Sequence, residues 1–275
     1  MRAHLVQFDI AWEDKLANYA AVDRLLAGSG VLGGTEGDLI VLPEMFDTGF
    51  STNVAQTADT DQKTLAYLRT LARRTGSIVH GARTLRAPDG RGINVATVVD
   101  AKGGVICEYT KHHLFPLGAA PEAERFVRGQ EIRTYTWTRG GGGSVAPSKR
   151  PEDDTLIVCP TICYDLRFPE LFLLGLKAGA GLFTVTSSWP SPREGHRRTL
   201  SIARAIENQA YVLSVNRCGR DPQLEYSGGT IAIDPRGEVL GELGTAEGVL
   251  SVDVDPREVR RWREVFPPWR ERVGG

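Results

Sequence analysis

The feature that most constrains the fold is a series of short apolar runs, rich in Val, Ile and Leu, spread along the whole chain. Each run is bounded by Gly, Pro, Asn or Asp, which are typical of strand ends and turns. Because many runs are apolar on both faces, they indicate strands in buried sheets that are covered from outside. The predicted strands are 3–9, 38–43, 77–83, 93–100, 104–109, 131–137, 155–162, 181–186, 210–215, 228–234 and 248–253.

Longer segments carry apolar residues at i, i+3 and i+4, which predicts helices over 14–28, 60–74, 168–179, 193–208 and 256–264. These helices do not alternate strictly with the strands, so a purely doubly wound sheet fits less well than a layered α/β fold with outer helices. Two stretches, 77–109 and 228–253, predict antiparallel hairpins. Their glycine-containing turns are Pro88–Gly90 and Asp234–Gly237.

Composition excludes several classes of protein. A chain of 275 residues with 41% hydrophobic and 24% charged residues is typical of a globular protein that needs no disulfide framework. The net charge of −1 gives no field for nucleic acid or an anionic membrane. No apolar run approaches the ~20 residues of a membrane span. Four scattered cysteines and the lack of a signal-peptide pattern predict the cytoplasm.

One low-complexity segment, 139–154, contains four consecutive glycines and predicts a mobile surface loop between two strands. No internal repeat is present, so we predict one domain over 1–275. The chain lacks a P-loop and a G-x-S-x-G motif, which removes the main support for nucleotide hydrolysis and for a serine hydrolase. Its histidines and cysteines do not have the spacing of a zinc site, so no metal is expected.

Three chemically reactive residues each follow a predicted strand. Glu44 follows the run ending in Leu42-Pro43, Lys111 follows Tyr109-Thr110, and Cys163 stands where a strand gives way to a turn and a helix. The ends of buried strands are where α/β sheets place functional groups.

Together these three residues form a coherent chemical set. A cysteine nucleophile needs thiolate character, which a neighbouring ammonium favours, and a neighbouring carboxylate can accept its proton. The turn after Cys163 leaves backbone N–H groups free to face a developing oxyanion.

At these residues the sequence resembles the nitrilase superfamily of carbon–nitrogen hydrolases. That family carries a Glu-Lys-Cys triad on P-E, K-x-H-L-F and C-Y-D-x-R-F-P motifs, and this chain has all three in the same order. The matching segments are Leu42–Glu44, Lys111–Phe115, Cys163–Pro169, Arg204–Val212, Asn216–Arg217, Ser227–Gly229, Asp234–Glu238 and Phe266–Trp269.

The resemblance implies a four-layer αββα sandwich with mixed sheets, no metal or organic cofactor, and a homodimer or higher homo-oligomer. Within the superfamily, the motifs are most similar to the omega-amidase branch, which hydrolyses the terminal amide of short dicarboxylic monoamides such as 2-oxoglutaramate. The implied catalytic residues are Glu44 as base, Lys111 as oxyanion stabiliser and Cys163 as nucleophile. Such enzymes often carry a second glutamate, for which Glu122 is our candidate and Glu124 the alternative.

Further residues are predicted to support this chemistry. The backbone N–H of Tyr164 would join Lys111 at the oxyanion, and Asp165 paired with Arg167 would orient the turn. The role of Cys218 stays open. Residues predicted to line the substrate pocket are Phe50, Trp189, Arg193 and Arg217.

The triad alone does not separate an omega-amidase from other enzymes of the superfamily. An N-carbamoyl-amine or N-carbamoyl-amino-acid hydrolase would release carbon dioxide together with ammonia. A nitrilase is a further alternative. A different class is an inactive fold used as a binding or scaffold protein, which the intact Glu44, Lys111 and Cys163 set argues against.

Overall fold

The computed structural model of the protein describes residues 1–33, 37–117, 121–138 and 154–271. Its first six-stranded sheet is mixed. The order is β14-β1-β2-β3-β4-β5, with β1, β2 and β3 parallel and the other pairings antiparallel. The strands are β1 (Arg2–Gln7), β2 (Leu39–Val41), β3 (Ile78–Arg86), β4 (Gly92–Val99), β5 (Val105–Thr110) and β14 (Gly248–Asp253).

The second six-stranded sheet repeats this arrangement, with a parallel centre of β7, β8 and β9 and antiparallel edges in the order β13-β12-β9-β8-β7-β6. A separate two-stranded ribbon pairs β10 with β11. The strands are β6 (Tyr135–Thr138), β7 (Thr155–Ile162), β8 (Leu182–Ser187), β9 (Tyr211–Asn216), β10 (Cys218–Arg220), β11 (Glu225–Ser227), β12 (Ile231–Ile233) and β13 (Val239–Glu242).

The helices are α1 (Lys15–Gly28), α2 (Val54–Thr57), α3 (Lys63–Thr75), α4 (Glu122–Arg125), α5 (Pro169–Lys177), α6 (Glu194–Asn208) and α7 (Pro256–Val265). Helices α1 and α3 cover the outer face of the first sheet, and helices α5 and α6 cover that of the second. Within the described residues, no helix combines the length and the apolar character that crossing a membrane requires.

Three buried apolar clusters separate four layers. The central cluster joins the two sheets, with Leu5 of β1 and Val158 of β7 among its members. A second cluster packs α1 and α3 on the first sheet, and a third packs α5 and α6 on the second. The predicted αββα sandwich with mixed sheets is therefore confirmed.

The predicted turns at Pro88–Gly90 and Asp234–Gly237 are confirmed, and Gly90 and Gly237 have φ of 89° and 90°. The prediction that 228–253 forms one hairpin is wrong at its end, because β14 leaves β13 and pairs with β1 of the other sheet. The predicted mobile loop over 139–154 lies outside the described residues, apart from Asp154.

Candidate active site

Strand ends from both sheets converge at one edge of the sandwich. Glu44 lies three residues after β2, Lys111 directly follows β5, and Cys163 directly follows β7. The structure therefore brings together the three residues that the sequence predicted as a catalytic set. Glu44 and Lys111 have fully buried side chains, and Cys163 is 8% exposed.

The Glu44 carboxylate is held by donors on both of its oxygens. Its Oε1 accepts a hydrogen bond from Lys111 Nζ at 2.7 Å, and its Oε2 accepts one from the backbone N–H of Ser188 at 2.9 Å. Ser188 directly follows β8, and its hydroxyl donates to the Glu44 carbonyl oxygen. The base candidate thus has a fixed orientation, as a proton acceptor at a defined position requires.

Glu122, the first residue of α4, is the second carboxylate of the site. Its Oε2 accepts hydrogen bonds from Lys111 Nζ and from the backbone N–H of Phe115, both at 2.8 Å. The side chain is fully buried, whereas Glu124 is exposed. Of the two glutamates that the sequence left open, Glu122 is therefore the one that contacts Lys111.

Asn94, in the middle of β4, joins the two carboxylates and was not predicted from the sequence. Its Nδ2 donates to Glu44 Oε1 at 2.9 Å and to Glu122 Oε1 at 3.0 Å. Its carbonyl oxygen also accepts the backbone N–H of Lys111 at 2.9 Å. An Asn within a strand-like apolar run was the available signal, because Asn is depleted in strands.

Cys163 occupies a sharp turn between β7 and a short 3-10 helix, Cys163–Arg167, with a φ of 48°. A non-glycine residue in this left-handed region is strained, and such residues cluster at functional sites. Tyr164 is the second residue of the 3-10 helix, where a backbone N–H has no carbonyl partner within the helix. Its N–H is thus placed to meet an oxyanion beside the Cys163 sulfur.

Asp165 holds this turn in place from a fully buried position. Its Oδ2 accepts hydrogen bonds from the Tyr109 hydroxyl at 2.7 Å and from the Ile162 N–H at 3.0 Å. Its Oδ1 accepts the backbone N–H of His113 at 2.9 Å and lies 3.0 Å from His113 Nδ1.

The predicted pairing of Asp165 with Arg167 is wrong. The four hydrogen bonds above occupy the carboxylate of Asp165, which points into the protein. The guanidinium of Arg167 lies instead over the Trp189 ring, 4.7 Å from its centroid, and faces the pocket.

Burial and mutual repulsion set the protonation of the site. Burial lowers the pKa of Lys111, but the Glu122 and Glu44 carboxylates outweigh it, so that pKa lies above its ordinary value. Burial and then the Glu44 carboxylate raise the pKa of the Cys163 thiol well above its ordinary value, and Lys111 opposes them only in part. Burial, with Glu44 next to it, also raises the pKa of Glu122. The resting Cys163 side chain is therefore a neutral thiol beside a carboxylate that can accept its proton.

Cys163 lines a small pocket with a mostly apolar lining, which adjoins a wider and more polar vestibule. Three of the predicted pocket residues line it, namely Phe50, Trp189 and Arg193. The Lys111 ammonium lies 5.2 Å from the centroid of the Phe50 ring, at the rear of the pocket.

Two arginines, Arg167 and Arg193, also line this inner pocket. Arg193 lies over the Phe115 ring, 5.4 Å from its centroid. Among the described residues, neither guanidinium forms an ion pair with a carboxylate. Their charges are thus free for a bound anion.

The fourth predicted pocket residue, Arg217, is not in the described lining of the pocket. It is fully buried and donates to Asp9 and to the backbone carbonyl of Ile10. Its guanidinium lies 4.3 Å from the centroid of Tyr226, a residue that does line the pocket. Cys218 is also buried outside the lining, and its N–H donates to the Phe8 carbonyl oxygen.

Among the described residues, no group of three or more His, Cys, Asp or Glu side chains is placed to hold a metal ion. Besides Asn94, sequence reasoning missed Ser188, Phe115 and Tyr226. The sequence does contain a signal that could have identified Ser188, since this residue follows a predicted strand that ends at the same edge of the sheet. Phe115 and Tyr226 reach the pocket through loop and ribbon geometry, which local sequence does not encode.

The family model of the carbon–nitrogen hydrolases matches residues 2–264 of the chain. The chain is 32% identical to the omega-amidase YafV of Yersinia enterocolitica over 98% of its own length and 96% of that protein. It is also 32% identical to a 2-oxoglutaramate amidase of Bacillus subtilis, over 95% of this chain and 93% of the relative.

Among solved structures, the chain is similar to a carbon–nitrogen hydrolase superfamily protein of Xanthomonas campestris that carries an arsenic adduct in its active site. The TM-score is 0.86 at 30% identity, over 100% of this chain and 98% of the other. The chain therefore belongs to the carbon–nitrogen hydrolase family. The predictions of the nitrilase superfamily and of an enzyme that hydrolyses carbon–nitrogen bonds are confirmed.

Proposed function

We propose that this protein is a cysteine-dependent amidase that hydrolyses the terminal amide of a short dicarboxylic monoamide, such as 2-oxoglutaramate, with release of ammonia. The observation that carries the proposal is one pocket containing Cys163, with Glu44 and Lys111 behind it and the guanidinium groups of Arg167 and Arg193 in its lining. The names of the relatives, omega-amidase and 2-oxoglutaramate amidase, support the same substrate class.

In the acylation step, the Cys163 sulfur attacks the amide carbonyl carbon while Glu44 takes the thiol proton. The carbonyl oxygen becomes an oxyanion, stabilised by the Lys111 ammonium and the Tyr164 N–H. The tetrahedral intermediate then collapses. The C–N bond breaks, Glu44 returns its proton to the nitrogen, and ammonia departs from a thioester.

In the deacylation step, water attacks the thioester carbonyl and gives a proton to Glu44. The second tetrahedral intermediate is stabilised by the same donors. Its collapse breaks the C–S bond, and the sulfur recovers a proton from Glu44 as the carboxylic acid leaves. Because Glu44 accepts and returns one proton in each half-reaction, its fixed position between Lys111 and Ser188 serves both steps.

The single carboxylate of the substrate, at the end opposite the amide, would bind the arginines of the pocket. A short acyl chain places this group a few ångströms from the reacting amide, within the pocket that Cys163 and Arg167 line together. A hydrogen bond between a guanidinium and a carboxylate is roughly twice as strong as a neutral one. The apolar remainder of the lining, with Phe50 and Trp189, would pack against the methylene groups.

The proposal is tested by ammonia release from 2-oxoglutaramate, succinamate, an N-carbamoyl amine and a simple nitrile. We expect release from the dicarboxylic monoamides that is lost in Cys163→Ala and kept in Cys218→Ala, a matched control because Cys218 is buried outside the pocket lining. Carbon dioxide released with the ammonia would favour an N-carbamoyl hydrolase. Activity that survives Cys163→Ala would refute the mechanism, and no activity on any of the four substrates would favour a binding role.

The substrate carboxylate is tested with succinamate against butanamide, which has the same amide without the carboxylate. Arg167→Leu and Arg193→Leu are expected to raise KM for succinamate by roughly tenfold to a hundredfold and to leave butanamide hydrolysis nearly unchanged. If both variants impair the hydrolysis of succinamate and of butanamide equally, the arginines do not recognise the carboxylate.

We also propose that the enzyme is cytoplasmic and forms homo-oligomers. The four cysteines are buried and unpaired, which supports a reducing compartment. Leu174 on α5 and Ile206 on α6 are 48% and 52% exposed, which supports an interface on this outer helix layer. Light scattering of wild type against Leu174→Glu tests the interface, and an unchanged mass would refute it.

A further inference from the structure

We propose that Asn94 is a positioning residue of the catalytic centre, which links the Glu44 and Glu122 carboxylates and fixes the orientation of Glu44. The inference rests on the proposed function, because it concerns Glu44 as the base. Asn94 is fully buried in β4, and its single amide nitrogen donates to one oxygen of Glu44 and to one oxygen of Glu122.

The orientation of the Asn94 amide follows from its neighbours. An Asn side chain has a donor end and an acceptor end. Here the end that faces the Glu44 and Glu122 oxygens must be the donor, since an amide oxygen would face negative charge. The Oδ1 of Asn94 is buried with no partner among the described residues, so the amide is held by its two donated bonds.

Asn94 and Lys111 together form a closed ring of four hydrogen bonds with the two carboxylates, 2.7 to 3.0 Å long. Lys111 and Asn94 both donate to Oε1 of Glu44, whereas Oε2 accepts the backbone N–H of Ser188, and the Cys163 thiol contacts the same carboxylate. Loss of the Asn94 bond would leave Oε1 of Glu44 with Lys111 as its one remaining donor, so the carboxylate would be held less tightly about its last torsion, which is soft. The proton acceptor would then have a less fixed position.

Asn94 also bears on the charge of the site. Two buried carboxylates face one ammonium, and a neutral donor that binds both favours their ionised forms without adding charge. Removing this donor is expected to raise further the pKa of Glu122, which burial and the Glu44 carboxylate already raise. The pair would then carry a proton up to a higher pH, so the acidic limb of the kcat/KM profile would move upward.

The experiment compares Asn94→Ala, which removes the donor, and Asn94→Asp, which keeps the shape but replaces the donor by a third carboxyl group. We expect kcat to fall by roughly tenfold to a hundredfold with a smaller change in KM. The acidic limb is expected to move upward by about one pH unit in Asn94→Ala and by at least as much in Asn94→Asp.

Thr84→Val is the matched control. Thr84 is the cross-strand neighbour of Asn94 on β3, is fully buried, and has a hydroxyl without a partner among the described residues. The control is expected to keep the wild-type profile. Thermal unfolding of all variants identifies any loss of folded protein, which lowers the rate without moving the pH profile.

A second readout needs no amide substrate. The rate at which iodoacetamide alkylates Cys163 in the folded enzyme is expected to fall about tenfold in Asn94→Asp at pH 7, because the added carboxyl group disfavours the thiolate. Lack of ammonia release from the monoamides by wild type would refute the proposed function itself. Alkylation in wild type, with pH profiles and alkylation rates unchanged in the Asn94 variants, would overturn the role of Asn94 alone.

Discussion

The Asp165→Asn substitution tests whether one buried carboxylate holds the turn that carries Cys163. The new side chain keeps an oxygen for the two contacts with His113, but it presents an NH₂ group to the Ile162 N–H, 3.0 Å from the present Oδ2. One buried N–H then faces a second donor, which costs about 1–3 kcal/mol. The Tyr109 hydroxyl loses its acceptor at the same position and can only accept from the new NH₂ group, and the bonds from His113 lose their charge assistance. We expect a total loss of about 2–4 kcal/mol.

This loss corresponds to a decrease in Tm of roughly 3–7 °C for a chain of this size. The assay is thermal unfolding at pH 7, followed by circular dichroism. Tyr109→Phe is the matched control, because it removes only the hydroxyl bond to Asp165 and is expected to cost about 1 kcal/mol. A Tm of Asp165→Asn within 2 °C of wild type would refute the reasoning, since replacing a carboxylate that organises the turn must lower the stability by more than this.

Three further predictions concern charge and packing. Glu122→Gln keeps the shape of the site but removes a charge, so kcat for the monoamide should fall about tenfold to a hundredfold, and an ammonia assay with wild-type rates would contradict this. Burial raises the pKa of Asp47 to about 6, so the folded state binds more protons than the unfolded state, and the stability contributed by Asp47 falls as pH rises from about 4 to 6. The Tm of Asp47→Asn minus that of wild type should therefore be larger at pH 8 than at pH 5. An equal Tm difference at both pH values would contradict this. Gly175→Ala should lower Tm by several degrees, since a Cβ there would lie 2.5 Å from the Phe183 ring, and an unchanged Tm would show that α5 can shift.

Much of the fold could be predicted because its strands and longer helices carry local signals. Every predicted strand corresponds to an observed one, and the strands missed are β10, β11 and β13, which have three or four residues each. The missed helices, α2 and α4, are single turns. Elements this short have no periodicity to detect, since a pattern needs several repeats before it stands out.

Long-range pairing was the part of the fold that local sequence could not supply. The strand at 248–253 has the same pattern whether it pairs with β13 or with β1, and the choice depends on how both sheets pack. The pairing of Asp165 was mispredicted for a similar reason. Arg167 is close to it in sequence, but the carboxylate points into the protein, towards Tyr109 and His113, which are more than fifty positions away.

In the candidate site, the sequence indicated residues whose chemistry is uncommon at a strand end, such as Glu44 and Cys163. It did not indicate the residue that links the two carboxylates. Asn94 lies inside β4, and its importance appears only when Glu122 is placed beside Glu44 by the docking of α4. Positioning residues of this kind depend on several elements at once, so a single sequence carries little trace of them.

The charges of the site suggest why a neutral thiol is suited to this reaction. Glu44 and Glu122 face one ammonium, that of Lys111, with no solvent exposure, so a resting thiolate on Cys163 would add a second uncompensated negative charge. In the proposed attack on an amide, the sulfur proton would move to Glu44, and the negative charge would move to the carbonyl oxygen, beside the Lys111 ammonium and the Tyr164 N–H. The favourable interactions would then be stronger in the transition state than in the free enzyme, which is the condition for catalysis. A site that stabilised the thiolate instead would lower the energy of the starting state and gain less from the same ammonium.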